Sequence, residues 1–217
     1  MNTEQARFNM IEQQVRPWNV LRAEVLQTLA EVPREAFVPP HLLSLAFSDT
    51  DIPLGHGACM MAPRVEARLV HDLQLRGDER VLEIGTGSGY SAALLSRHAA
   101  HVVTVEIDPD LAQSARQRLR AYTNVEVVQG NGADAKHLSP HGPFDAIVLS
   151  GSVDLLPEDL LSLLKAEGRL LAICGDEPIM HATLARLHAH GETTREQLWD
   201  CNAPRLHHFA VRPAFQF

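Results

Sequence analysis

Very little in this chain would staple it in an oxidising compartment or hold it on a polyanion. It has three cysteines, Cys59, Cys174 and Cys201, far apart and odd in number. That excludes a disulfide framework and points to a reducing, cytoplasmic setting. There is no basic run, and the formal net charge is −8. Phosphate backbones are gripped by Lys and Arg clusters, so nucleic acid is excluded as the main partner. No apolar stretch reaches transmembrane length. The opening Met1-Asn-Thr-Glu-Gln-Ala-Arg lacks the apolar region of a signal peptide. A membrane partner is therefore not expected. Internal repeats and low-complexity segments are also missing. What remains is a chain of 217 residues, 45% of them hydrophobic, enough for one domain with a sizeable core.

The chain is organised around Val81-Leu-Glu-Ile-Gly-Thr-Gly-Ser-Gly-Tyr90. An apolar strand, Arg80 to Ile84, runs into a glycine-rich turn, and a helix with Ala92, Ala93, Leu94 and Leu95 follows. Glycines remove the Cβ atoms that would hold a ligand off the backbone. Such a turn, at the carboxyl end of a parallel strand, is where open α/β sheets bind small molecules. The dinucleotide fingerprint G-x-G-x-x-G requires a small residue at position 90, where Tyr90 stands. Glu83 would repel a pyrophosphate but suits a ligand carrying an amine. The pattern E-x-G-x-G-x-G, with Gly85, Gly87 and Gly89, resembles the first motif of S-adenosylmethionine-dependent methyltransferases. Thr86 and Ser88 lie inside it. The alternative is the glycine turn of an ordinary α/β domain, and downstream residues separate the two. A second strand, His101 to Glu106, ends in an acid about twenty residues on, where a ribose-binding carboxylate belongs. Ile107 follows it, and Asp108-Pro109 caps and starts a helix. A third strand, 124–129, leads to Gly130-Asn131-Gly132. A fourth, 144–149, leads to Ser150-Gly151-Ser152. Four strand ends with turn chemistry point to one rim.

Elsewhere the spacing predicts a helix over 4–15, ended by Pro17, with Phe8, Met10, Ile11 and Val15 as core positions. A second helix carries Val20, Leu21, Val25, Leu26 and Leu29. Residues 49–57 form a loop, and Pro63 begins a helix carrying Val65, Leu69, Val70 and Leu73. After residue 79 strand and helix alternate, as a parallel sheet requires. Helices are expected over 157–165 and 178–188, with a fifth strand, 168–174, between them. Short strands are expected at 196–199 and 207–211, and Phe215 and Phe217 would close the core. His137 and His141 have i, i+4 spacing, but Pro140 breaks the face, so no metal site is expected.

The run Val32-Pro-Arg-Glu-Ala-Phe-Val-Pro39, then Asp49, Pro53-Leu-Gly-His-Gly57, Pro63 and the glycine turn resembles the protein-L-isoaspartate O-methyltransferase family from about residue 8 to 175. The resemblance implies a doubly wound, mostly parallel α/β sheet of Rossmann-like methyltransferase type with an N-terminal helical cap. Residues 1–57 would supply the cap and substrate-side loop, and 58–217 the cofactor core. It implies S-adenosylmethionine as cofactor and an isoaspartyl carboxylate in a damaged protein or peptide as acceptor, its methylation starting repair. Cofactor contacts are expected from Met60, Glu83, Gly85, Thr86, Gly87, Ser88, Glu106, Ile107, Asn131 and Gly132. The chain departs from the family's pattern at three places. Where the family reads Gln-Thr-Ile-Ser-x-Pro, this chain reads Ala58-Cys-Met-Met-Ala-Pro63, so the active-site serine falls on Met61, which cannot donate a hydrogen bond. The family's Gly-Asp-Gly is Gly130-Asn131-Gly132. The family's closing pattern is missing after residue 175. His56, Cys59 and Met61 are the catalytic candidates left in the loop.

Methyl transfer to a carboxylate needs no general base, because the acceptor is already ionised at neutral pH. Alignment, which supplies up to ~7–11 kcal/mol, is then the main task. Three functions fit: isoaspartyl repair; methylation of another carboxylate or small molecule by the same fold; and a non-catalytic cofactor-binding module. The intact rim argues against the last, and Met61 divides the first two.

Overall fold

A computed structural model describes residues 2–212. Phe215 and Phe217, expected to close the core, lie outside the described residues.

The amino-terminal third is helical. Helix α1 (Thr3–Met10) is capped by Asn2, whose side chain accepts from the Gln5 N–H. The helix does not stop before Pro17. A π-helical turn over Ile11–Val15 and a 3-10 turn over Arg16–Trp18 carry it to Asn19, which ends it in a left-handed conformation. Proline is tolerated in the first turn of the 3-10 segment because no N–H is needed there. Met10, Ile11 and Val15 are buried, but Phe8 is exposed. Helix α2 (Ala23–Glu31) buries Val25, Leu26 and Leu29. Val20 is buried ahead of it, while Leu21 faces solvent.

The loop expected over 49–57 is partly a strand. β1 (Ile52–Gly55) and β2 (Ala58–Met60) pair antiparallel as a hairpin turned at His56-Gly57. Positive φ at Gly55, His56 and Gly57 makes the tight reversal. Helix α3 (Pro63–Leu73) starts at the proline, as its fixed φ favours.

Then come β3 (Arg80–Ile84), α4 (Tyr90–Ser96), β4 (His101–Glu106), α5 (Pro109–Leu119), β5 (Val125–Gln129), α6 (Ala135–Leu138), β6 (Phe144–Val153), β7 (Leu164–Asp176), β8 (Ile179–Leu187) and β9 (Thr193–Cys201). The seven-stranded sheet runs β5-β4-β3-β6-β7-β8-β9, parallel from β5 to β7 and antiparallel beyond. The chain first winds outward from β3 to β5, then crosses to the other side of β3. That reversal opens a crevice at the carboxyl ends of the strands. Successive residues of each central strand feed opposite faces. Val81, Val102, Ala146 and Val148 join the helices α2 to α5 in one core, and Leu82, Val103, Ile147 and Leu149 join α6 and the 158–163 turn in the other. Both faces are covered, so these strands read as near-continuous apolar runs, interrupted by the buried Glu83 and Thr104.

Three expectations are corrected. Residues 179–187 of the expected helix 178–188 are strand β8: Met180 and the run Ala182 to Ala185 are buried, and β7 and β9 flank it antiparallel, with a register shift against β9 at Ala182–Thr183. Residues 157–165 form a 3-10 helix (Glu158–Leu163) that gives way to β7 at Leu164. Residues 207–211 form a turn and an irregular segment, and among the described residues the only ladder contact nearby is the isolated bridge Ser152–Arg205.

Candidate active site

The glycine turn leaves β3 with all three glycines at positive φ: 94° at Gly85, 51° at Gly87 and 89° at Gly89. At Gly85 a Cβ would also lie 2.8 Å from Leu206 Cδ2 and 3.3 Å from Ser150 O. At Gly87 the bare backbone N–H donates to Glu106 Oε2 at 2.8 Å. The acid at the end of β4 therefore braces the turn at the end of β3. Its other oxygen accepts from the Asp108 N–H at 3.0 Å. Each carboxylate oxygen has a second lone pair, so Glu106 can still accept from a ligand hydroxyl.

A cavity opens beside this pair. Its floor is Ile84, Gly85, Val105, Glu106 and Ile107, and Asn131 and Gly132 close one side. Asn131 Oδ1 accepts from the Ala133 N–H at 3.0 Å, which fixes the amide while leaving one lone pair and its NH2 free. The β1–β2 hairpin closes a second side with Gly57, Ala58 and Cys59. The third wall is the segment 204–209, which sequence reasoning missed. Ser152 N–H donates to Pro204 O at 2.7 Å, and Leu206 N–H donates back to Ser152 O at 2.8 Å. The strap can lie this close only because residue 151 is glycine: a Cβ there would meet Leu206 Cγ at 2.8 Å and Pro204 O at 2.9 Å.

A second, narrow cavity of about 10 Å³ adjoins the first and shares Cys59, Gly85, Gly87 and Ser150 with it. Met60, Met61, Glu66, Thr86, Ser88 and Ser91 complete its wall. Glu83 lines neither cavity. It is fully buried, and Ser150 Oγ and Thr104 Oγ1 each donate to it at 2.7 Å. Burial pushes its carboxyl up to about 7, against the pull of those hydroxyl donors. Its influence on a ligand passes through Ser150.

The loop candidates separate. Met61 is buried, and its carbonyl accepts from Arg34 Nη2 at 2.7 Å. Arg34, fully buried, pairs through Nη1 with Glu66 and donates through Nε to Ala46 O at 2.9 Å. Cys59 is half-buried in both cavity walls, and burial followed by the Asp51 charge raises its thiol pKa. A protonated thiol is a weak nucleophile. His56 lines neither cavity. Its Nδ1 lies 2.8 Å from Asp108 Oδ2, so the hairpin tip is tied to the start of α5. His56, Asp108 and Asp110 bring ligand-type atoms within 4.8 Å of one another at this corner, where His56 and Asp110 are exposed.

Sequence reasoning missed Ser91, Glu66, Arg34's role and the strap. One signal was present for Glu66: an acid on the apolar face that Leu69, Val70 and Leu73 define.

The chain matches the family model described as Protein-L-isoaspartate(D-aspartate) O-methyltransferase over residues 5–201. It is 38% identical over 180 residues to the protein-L-isoaspartate O-methyltransferase of Ignicoccus hospitalis, covering 81% of this chain and 84% of that one. It is 42% identical over 179 residues to the corresponding protein of a Roseiflexus species, covering 81% and 80%. The fold is similar, with a TM-score of 0.75 at 20% identity, to a Plasmodium falciparum structure that covers 94% of this chain and 99% of its own. That protein, described as a protein-L-isoaspartate O-methyltransferase, was solved in complex with S-adenosyl-L-homocysteine.

Proposed function

The chain belongs to the protein-L-isoaspartate O-methyltransferase family, and from that membership we propose how its own residues carry the reaction. It is an S-adenosylmethionine-dependent O-methyltransferase whose acceptor is an isoaspartyl carboxyl group of a damaged protein. The donor set fits the cofactor: a carboxylate for ribose hydroxyls at Glu106, an amide for adenine at Asn131, and a glycine turn without Cβ atoms between them. When bound, the cofactor supplies an electrophilic methyl group on a sulfonium. Gly85, Thr86, Gly87 and Ser88 would carry its amino-acid part, with Met60, Ile107 and Gly132 packing beside it. The hairpin loop Cys59–Met61 would present the acceptor carboxylate in line. The hairpin and the strap exclude water, which strengthens every electrostatic contact inside.

In this division of labour residues 1–57 form the substrate-side cap and 58–217 the cofactor core. Among the described residues no helix is long and apolar enough to cross a membrane. Three free thiols favour the cytoplasm as the compartment. The observation that carries the reading is convergence: Glu106, Asn131 and Gly87 reach one cavity that the family-type hairpin covers. The test is transfer of labelled methyl from the cofactor to an isoaspartyl peptide and to its aspartyl twin. Label on the first alone is the expected result; no label on either, with cofactor still bound, overturns it.

Glu106→Gln is expected to weaken cofactor binding by about 1.5–3 kcal/mol, the scale of a hydrogen bond to a charged group. Part of that loss comes from the turn itself, since the amide has one acceptor oxygen where the Gly87 and Asp108 N–H groups each use one. Titration calorimetry with S-adenosylhomocysteine measures it, and unchanged affinity in a folded variant would remove Glu106 from the site.

Met61 favours a second acceptor class, another carboxylate or a small apolar molecule, because a buried thioether replaces the hydroxyl donor at the acceptor side. The two readings part on Met61→Ser. Under isoaspartyl repair, this change raises the rate on isoaspartyl peptide about tenfold or more, from the worth of a hydrogen bond to a charged acceptor. Adding Cys59→Thr raises it further. No gain from either change, with a wild-type rate indistinguishable from background, would favour the other acceptor class.

A further inference from the structure

We infer that Glu66 is a cofactor-binding residue: with the Ser150 hydroxyl, it holds the ammonium group of the S-adenosylmethionine tail in the small second cavity. The inference rests on the cofactor reading above and gives its amino-acid part a place.

The cavity has room for about one water-sized group. An ammonium fits that space. The cavity adjoins the larger one through Gly85, Gly87, Cys59 and Ser150. A ligand whose adenosine lies against Glu106 and Asn131 reaches it by crossing the glycine turn. The lining has the chemistry of a cation site. Among the described residues Glu66 is the only carboxylate in the wall, and Thr86, Ser88, Ser91 and Ser150 supply hydroxyl oxygens. Ser150 Oγ lies 3.4 Å from Ser91 Oγ and donates to Glu83 Oε1, which turns its lone pairs towards the cavity. Glu83 is thus a positioning residue, acting through Ser150.

Glu66 is held for this task. It is only 3% exposed, yet it stands on α3 among apolar neighbours. Its Oε2 takes the Arg34 Nη1 bond, and Oε1 remains as an acceptor. Arg34 itself is fixed by Ala46 O and Met61 O and sits 4.9 Å from the Tyr90 ring centre. The carboxylate therefore cannot rotate away, and a preorganised acceptor loses little freedom on binding.

The experiment compares two ligands on one protein. S-adenosylhomocysteine carries the ammonium; its desamino analogue lacks only that group. Titration calorimetry on wild type and Glu66→Gln, at one pH and salt, gives four affinities. The variant is expected to bind S-adenosylhomocysteine about tenfold or more weakly, the size of a lost charge-assisted bond. It is expected to bind the desamino analogue within about twofold of wild type. Equal weakening of both ligands would make Glu66 a purely structural residue and overturn the inference. Unchanged S-adenosylhomocysteine affinity would overturn it too, including the case where only the peptide KM moves. If the glutamine variant does not fold, Glu66→Asp, which keeps the charge beside Arg34 but withdraws it by one methylene, is measured instead. The same pattern is then expected at smaller size, and parallel loss for both ligands counts against the inference. Failure of wild type to bind S-adenosylhomocysteine at all would instead strike the cofactor reading.

Discussion

Arg34→Ala is expected to cost about 3–5 kcal/mol of folding stability, the range for breaking a buried ion pair by removing one partner. Arg34 is fully buried and bonds three separate acceptors: Ala46 O, Met61 O and the Glu66 carboxylate. The first lies at the end of the amino-terminal cap, the second in the acceptor loop and the third on α3. One guanidinium therefore ties together three segments that no regular ladder joins. Lysine cannot replace it, because a single ammonium does not reach three diverging acceptors. The loss should depend on pH. Burial holds the Glu66 carboxyl above its ordinary 4.5, against the pull of Arg34. Without Arg34 the carboxyl moves higher still, so the folded variant keeps its proton well above the pH at which the unfolded chain releases it. Stability conferred by a raised carboxyl is present in acid and lost as pH rises through the folded value. Destabilisation by Arg34→Ala is thus smallest near pH 5 and largest near pH 8. Urea unfolding at the two pH values measures both statements. Adding Glu66→Leu should return part of the loss at pH 8, since no unpaired carboxylate is then left inside. Identical unfolding midpoints for wild type and Arg34→Ala at pH 8 would refute the tethering role.

Gly87→Val is expected to abolish cofactor binding, a loss of about a hundredfold or more, while leaving most of the fold in place. Gly87 lines both cavities, so anything added to it enters the ligand's path. Its φ of 51° lies in the left-handed region, which costs an L-residue roughly 1–2 kcal/mol and more when β-branched. The first added atom would already sit 3.3 Å from Leu54 Cδ1, pressing on the hairpin. The N–H bond to Glu106 Oε2 survives only if the turn keeps its shape, and valine opposes that shape. Gly87→Ala adds one carbon without branching and should lose less. Calorimetry with S-adenosylhomocysteine, beside circular dichroism to verify the fold, measures the effect. Retained affinity in Gly87→Val would mean that the ligand does not cross this turn.

Much of the molecule is written locally. The strands Arg80–Ile84 and His101–Glu106 fall where their apolar runs place them, because strands buried on both faces need no partner information to be recognised. Helix α5 begins at Pro109 because Asp108 accepts from the Asp110 and Leu111 N–H groups. That is a four-residue event. The glycine turn, with Glu106 as its distant acid, is legible for the same reason: positive φ and close ligand approach demand glycine whatever surrounds it. The cofactor class and the family followed from these short-range demands and from the run 32–63.

Only the tertiary structure decided the rest. Residues 179–187 carry apolar side chains that serve a helix or a strand, and β7 and β9 on either side made them a strand by supplying ladder partners. The strap at 204–206 has no pattern of its own; it is held by Ser152, fifty-two residues from Pro204 in the chain. Arg34 and Glu66 are 32 residues apart, and nothing near either one predicts the other. Glu83 stands in the motif, yet the fold puts Ser150 between it and the cavity. Local sequence specifies backbone conformation, because sterics and capping act within a few residues. Which buried charge meets which, and which side chain faces the ligand, is fixed only when distant segments pack, because burial is what makes those pairings strong.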